Sequence, residues 1–171
     1  RDLHSFPTRR SSDLTLWRFK RFPIDFWHSV VAGVSWEKIL FGMDDDFIDW
    51  EGNNYFCSYT EERKLRVSGS LPEVIDNILS CSCFVANDTG LAKIAAYLGV
   101  PTICIYGPTD PKKNRLHDEI IFRRNLRCSP CQYSTLMRHC TNRLCLELSP
   151  FNTIAEVERI NDEVRRPEIR S

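Results

Sequence analysis

Residues 83–111, CFVANDTGLAKIAAYLGVPTICIYGPTDP, leave this chain little choice of architecture. CFVAN is an apolar run short enough for a buried strand, and it breaks at the polar turn NDTG. GLAKIAAYLG then carries apolar residues at helical spacing and stops at Gly99, the residue best suited to end a helix. PTICIYG follows as a β-branched run with Pro101 at its first position, where a missing N–H costs a strand least. Strand, helix and strand in this order form a βαβ unit, so the segment predicts a parallel sheet covered on both faces by helices.

The rest of the chain supplies more elements of the same kind. After Pro23, a good first-turn residue, Ile24, Trp27, Val30, Val31 and Val34 recur at helical spacing. EKILFGM (37–43) and LRVSG (65–69) read as short strands, and IIFRRNL (120–126) as one more. DDDFIDWEGNNYFCSYTEERK (44–64) reads as helix pieces and loop. SLPEVIDNILS (70–80) is the clearest helix: Ser70 and Glu73 form a capping-box pattern, and Leu71, Val74, Ile75, Ile78 and Leu79 make one face. The last helix is expected to start near Thr153 with Glu156 as capping partner and Ile154, Val157, Ile160 and Val164 inward. The domain expectation is a Rossmann-like unit over 15–149, then a helix and tail over 150–171.

Residues 1–14, RDLHSFPTRRSSDL, fit neither unit. They lack the apolar core of a secretion signal and the amphipathic helix of an organelle signal. They resemble the translation of a widely used short-read sequencing adapter, and are expected to be a non-native segment. Setting aside Arg1, Arg9, Arg10, Asp2 and Asp13 takes the 23 basic and 23 acidic residues to 20 and 21. A near-neutral chain is not a globally basic nucleic-acid binder. A local patch does exist over 111–143, where Lys112, Lys113, Arg115, Arg123, Arg124, Arg127, Arg138 and Arg143 face only Asp118 and Glu119 in number. It reads either as a solvated face or as a surface for an anionic partner. No apolar run reaches the length of a membrane-spanning helix. Eight Cys without a secretion signal read as reduced thiols or metal ligands of a cytoplasmic protein.

In a parallel sheet, ligands bind outside the carboxyl ends of the strands. That directs attention to Asn87-Asp88-Thr89-Gly90, where a strand turns into a helix. Asp88 or Thr89 can cap the helix, and Gly90 allows close approach to the backbone. The unpaired N–H groups and positive dipole end of that helix suit phosphate, and Lys93, one turn in, adds a full charge. A capped helix with no ligand is the plain alternative. YGPTDP (106–111) supplies a second loop on the same edge.

These residues also carry a resemblance. The run D-T-G-x-x-[HK]-x-A-A-x-L-G-x-P-T from Asp88, followed by a strand and GPTDP, resembles the carboxyl-terminal half of family 9 glycosyltransferases, the lipopolysaccharide heptosyltransferases and their relatives. KRFP (20–23) is similar to the family's K-R-W-P motif, and SGSLPEVIDNILSCSCFVANDTG (68–90) to its G-x-x-S-L-x-E helix and following strand. CSPCQYSTLMRHCTNRLCLELSP (128–150) is similar to a Cys-rich segment near the end of many members.

The resemblance implies one half of a GT-B fold, two Rossmann-like domains across a cleft, with this chain as the nucleotide-sugar (donor) half. The first, central strand of that half would precede Lys20 and is expected to be lacking. Lys20 then matches the lysine on the donor diphosphate, and Thr15 falls near a hydroxyl of the same phosphate loop. Asp88, Thr89 and Gly90 match the donor-phosphate turn. Lys93 departs from the usual His, which puts proton transfer at that position in doubt, because a Lys is a fixed cation near neutral pH. Phe22 in place of Trp is a milder change. The Asp cluster of GMDDDF (42–47) lies near the nucleoside loop but reads more readily as a solvated helix start. No catalytic residue is expected here, since the acid/base would lie in the acceptor-binding domain.

Cys128, Cys131, Cys140 and Cys145 form a second signal, C-x2-C-x8-C-x4-C. Four thiolates at short spacing can close a tetrahedral zinc site, with His139 as a substitute ligand. A labile disulfide, an iron–sulfur site and plain thiols are the other readings. Cys81, Cys83 and Cys104, beside apolar strands, read as packing residues; Cys57 receives no role.

The resemblance implies an enzyme that transfers a sugar, such as a heptose, from a nucleotide-diphosphate donor to a lipopolysaccharide-core or similar acceptor. Transfer would need no active-site metal, because lysines and helix N–H groups can stabilise the departing diphosphate. It would take place in the bacterial cytoplasm, or peripherally at the cytoplasmic face of the inner membrane. This chain alone would not turn over substrate. The alternative is a non-catalytic, zinc-stabilised binding module that uses the basic surface.

Overall fold

The structure is a computed structural model and describes residues 20–36, 39–41, 65–67, 70–116 and 118–165. Thr15, Gly42–Phe47, Cys57 and the stretch 44–64 lie outside the described residues, as does anything ahead of Lys20.

Five parallel strands fall into two sheets among the described residues. β1 (Ile39–Phe41) pairs with β2 (Leu65–Val67), Ile39 opposite Leu65. β3 (Phe84–Asn87), β4 (Thr102–Tyr106) and β5 (Ile120–Arg123) form a sheet in the order β3-β4-β5. Phe84 lies opposite Thr102, and Ile103 opposite Ile120. β4 is central and buried at every residue, as expected of a run with no polar alternation.

Helices cover both faces of this sheet. α1 (Ile24–Gly33) and α6 (Pro150–Arg165) pack against each other on one face. Phe22, Phe26, Val30, Val34, Val157 and Ile160 meet Ile103 and Ile105 there. On the other face α3 (Gly90–Tyr97) sets Ala92 against Cys104 and Tyr106. α2 (Leu71–Leu79) adds Ile78 to a neighbouring cluster with Phe84, Ala95 and Val100. The expected α/β architecture with a covered parallel sheet is therefore what the chain forms.

Local chemistry sets the boundaries. Glu73 accepts from the Ser70 backbone N–H at 2.8 Å and from its hydroxyl at 3.0 Å, anchoring the start of α2. At the end of α3, Gly99 has φ +81° and donates to Ala96 O, while Val100 donates to Ala95 O. That is a Schellman termination, in which the left-handed residue satisfies carbonyls the helix leaves open. Gly33 lets α1 and α6 approach, since a Cβ there would collide with Ile154 Cδ1.

Three sequence expectations are corrected. α6 starts at Pro150, because Ser149 Oγ accepts from Phe151 N at 3.4 Å and Pro150 takes the first helical position. Thr153 is buried inside the helix, and Glu156 pairs with Arg159 instead of capping. Val164, Leu71 and Leu79 are more than half exposed at helix ends, so the inward faces are shorter than the pattern suggests. In α1, Phe26 is buried where Ile24 and Trp27 are only half-buried. No described helix is long and apolar enough to cross a membrane.

Candidate functional site

The carboxyl ends of β3 and β4 place the NDTG turn and GPTDP side by side. The Asp88 N–H donates to Ile105 O at 3.2 Å, so the β3–β4 ladder runs one residue past the strand. The Asp88 carboxylate is buried. Thr89 occupies the cap position in extended backbone (φ −132°, ψ 166°) and makes no side-chain cap. Neither residue therefore caps α3 through its side chain. Gly90 is exposed, with open space where a Cβ would sit.

Two lysines distant in sequence meet on Asp88. Lys20 Nζ lies 3.0 Å from Oδ2, and Lys93 Nζ lies 3.2 Å from Oδ1. Lys20 also donates to the Asp88 carbonyl at 3.4 Å. Two residues on, Phe22 is buried, its ring 5.3 Å from that of Phe26 and tilted to it by 49°. Asn114 closes α4 (Pro111–Asn114), a turn started by Asp110, which accepts from Lys112 N at 3.0 Å. Its amide donates to Asp88 Oδ2 at 2.9 Å and to Gln132 Oε1 at 3.3 Å.

Lys93 is also bound from beneath. Its ammonium meets the Tyr106 hydroxyl at 2.6 Å and Glu119 Oε2 at 2.9 Å, with Cys104 Sγ at 3.8 Å. Tyr106 donates to the same Glu119 oxygen at 2.9 Å. Burial pushes the Asp88 carboxyl up, but Asn114, Lys20 and Lys93 outweigh it and hold it below the usual carboxylate range. Burial likewise lowers Lys93, and Cys104, Glu119 and Asp88 outweigh it and raise the ammonium above its ordinary value. Burial pushes the Cys104 thiol up to about 12 and raises Tyr106 well above its ordinary value, so both stay protonated near neutral pH.

The structure thus brings together Lys20, Asp88, Thr89, Gly90 and Lys93 from the sequence reading, while Thr15 lies outside the described residues. Asn114, Tyr106, Glu119 and Gln132 were not anticipated. Asp110-Pro111 is a readable start for the turn that carries Asn114. Glu119, flanking a β-branched strand, carries no local mark of its burial. Two buried polar atoms on this edge, Asn87 Oδ1 and Thr109 Oγ1, have no hydrogen-bond partner among the described residues.

Cys128, Cys131, Cys140 and Cys145 line one cavity of about 370 Å³ beside the short helix α5 (Thr135–Arg138), together with His139, Leu136 and Leu144. Among the described residues, however, no three His, Cys, Asp or Glu side chains converge closely enough to hold a metal ion. Hydrogen bonds tie the loop down. Cys131 N and Gln132 N donate to Pro108 O at 2.9 and 3.0 Å, and Ser129 Oγ donates to Gly107 O at 2.8 Å. Two members of the basic stretch serve the same loop: Arg123 donates to Ser129 O, and Arg124 to Leu144 O and Glu147. Cys81 and Cys83 are half-buried and Cys104 fully buried beside apolar strands, consistent with packing roles.

A doubly covered parallel sheet with a cluster of charged side chains at its carboxyl edge is an α/β architecture in which ligands bind outside the strand ends. The family model for glycosyltransferase family 9 (heptosyltransferase) matches residues 13–141, and the chain belongs to that family. Lipooligosaccharide heptosyltransferase 2 of Haemophilus influenzae is 46% identical over 43 residues, 25% of this chain and 12% of that protein. The Campylobacter jejuni protein of the same name is 26% identical over 155 residues, 83% of this chain and 47% of that protein. Lipopolysaccharide heptosyltransferase 2 of Escherichia coli is 31% identical over 81 residues, 44% of this chain and 23% of that protein. The chain therefore spans less than half the length of these curated relatives. Its fold is similar to the crystal structure of a family 9 glycosyl transferase from Veillonella parvula, with TM-score 0.66 and 17% identity over 87% of this chain and 44% of that one.

Proposed function

We propose that this chain is the donor-binding half of a family 9 glycosyltransferase, and that the site around Asp88 receives the diphosphate of a nucleotide sugar. The observation that carries this reading is the position of Lys20, which meets Asp88 beside the uncapped N-terminus of α3. A cation and free helix N–H groups together favour a phosphate ester. As the sugar leaves the donor, charge develops on the diphosphate, and preorganised donors at this edge stabilise it. Lys20 supplies positive charge, while Gly90 opens the backbone to the ligand.

The whole protein would transfer a heptose or related sugar to a lipopolysaccharide-core acceptor, in keeping with the names of its relatives. The acceptor site and the acid/base would belong to the remainder of that protein. It would work in the cytoplasm or at the cytoplasmic face of the inner membrane, and segment 1–14 would contribute nothing to it. Calorimetric titration with ADP- and UDP-sugars tests the reading. Saturable binding, weakened about tenfold or more in Lys20→Ala, is expected from the loss of one charge-assisted contact. Absence of nucleotide binding by the folded chain overturns it.

A further inference from the structure

Lys93 and Lys20 both reach Asp88, yet their surroundings assign them different work. An ammonium has three donor hydrogens. Those of Lys93 face three acceptors inside the protein: the Tyr106 hydroxyl at 2.6 Å, Glu119 Oε2 at 2.9 Å and Asp88 Oδ1 at 3.2 Å. The ammonium also lies 4.9 Å from the centre of the Tyr106 ring, close enough for a cation–π contribution. The Glu119 side chain is fully buried, and its other oxygen accepts from Leu116 N at 3.3 Å.

The consequence of moving each lysine toward a ligand differs accordingly. If Lys20 leaves Asp88, Oδ2 keeps the Asn114 amide and Oδ1 keeps Lys93. If Lys93 leaves, Glu119 remains buried with a tyrosine hydroxyl and a backbone N–H but no cation. A buried carboxylate stripped of its counter-charge is strongly unfavourable. Lys93 is thereby fixed in its place by the protein's own acceptors.

We propose that Glu119 and Tyr106 form an internal seat for the Lys93 ammonium, making Lys93 a positioning residue that holds Asp88 and the start of α3 in register and does not itself bind the donor. This rests on the donor-site reading above. Glu119, Tyr106 and Cys104 face Lys93 from the sheet side, and Asp88, with Lys20 behind it, from the turn.

The test uses the 171-residue chain, inorganic pyrophosphate as probe, and two readouts. The first is binding at neutral pH in Lys20→Ala and in the charge-neutral double variant Lys93→Met/Glu119→Gln, whose removal of both partners avoids a lone buried charge. Loss of about tenfold or more is expected in the former and a change within about threefold in the latter. The second is the titration of the Lys93 side-chain ε-carbon, followed by NMR in the wild-type chain and in Glu119→Gln. Without Glu119, burial is less opposed, so the ammonium should titrate about one pH unit lower or more. Equal loss of binding in Lys20→Ala and the double variant overturns the proposal by making Lys93 a direct ligand. An unchanged Lys93 titration in Glu119→Gln overturns it as well. If the wild-type chain binds no pyrophosphate, the donor-site reading fails, and the Lys93 titration still decides whether the seat exists.

Discussion

Asp88 is a buried carboxylate between two ammonium groups and an amide, and its charge is part of what keeps the β3–α3 turn in place. Its folded-state pKa is depressed, so its contribution is present above the ordinary carboxylate pKa and is lost as pH falls through the lower folded value. Lys93 has the opposite sign. Its raised pKa gives stability that is present below the ordinary lysine range and lost only as pH climbs beyond it. Asp88→Asn should therefore destabilise the chain by about 1–3 kcal/mol at neutral pH, the scale of charge-assisted hydrogen bonds. The gap from wild type should narrow as pH drops below about 4. Urea midpoints measured from acid to neutral pH check this; a gap independent of pH would mean that the carboxylate charge is not what matters. At this scale the sequence was legible where a residue sits in a recognisable turn, as Asp88 and Lys93 do. It was not legible for Glu119 or Tyr106, whose roles arise only when β4 and β5 bring them under the same lysine.

The elements were easier to read than their ends. The βαβ unit over 84–106 follows from apolar runs broken by NDTG and Gly99, and both breaks stand where the structure turns. The start of α6 differs from the expectation because Thr153 and Glu156 imitate a capping pair, while Ser149, four residues before Thr153, accepts from Phe151 N. The two glycines flanking α3 illustrate how position decides a residue's cost. Gly99 has φ +81°, so Gly99→Ala should cost about 1–2 kcal/mol through left-handed backbone strain. Gly90 has ordinary backbone and open space beside it, so Gly90→Ala should leave stability unchanged or raise it by less than about 1 kcal/mol. Only the latter should weaken pyrophosphate binding, since the added methyl group occupies the approach to the helix N-terminus. Paired denaturation and titration of both variants separate the backbone effect from the ligand effect.

Across the whole molecule, the last helix is bound into the sheet's own core. Val157 and Ile160 are buried with Phe22, Phe26 and Val30 against Ile103 and Ile105. Glu158 accepts from the Ser35 N–H and from Trp36 Nε1 just beyond the end of α1. The Cys-rich loop is fastened to Gly107 and Pro108 and, through Gln132 and Asn114, to Asp88. One face of the sheet therefore depends on the carboxyl-terminal residues, and the carboxyl edge of its strands carries the charged site. The sequence could show an amphipathic final helix but not its partner, because 24–34 and 150–165 share no local signal. If the helix is integral, truncating its core contact should loosen the central strand as much as the helix itself. Ile160→Ala is expected to cost about 2–4 kcal/mol, in the range for deleting a buried aliphatic side chain. Amide hydrogen exchange should show protection at β4 and α6 falling together, as one cooperative unit requires. Loss of protection confined to 150–165 would instead make α6 an appendage whose docking is separable from the fold of the sheet.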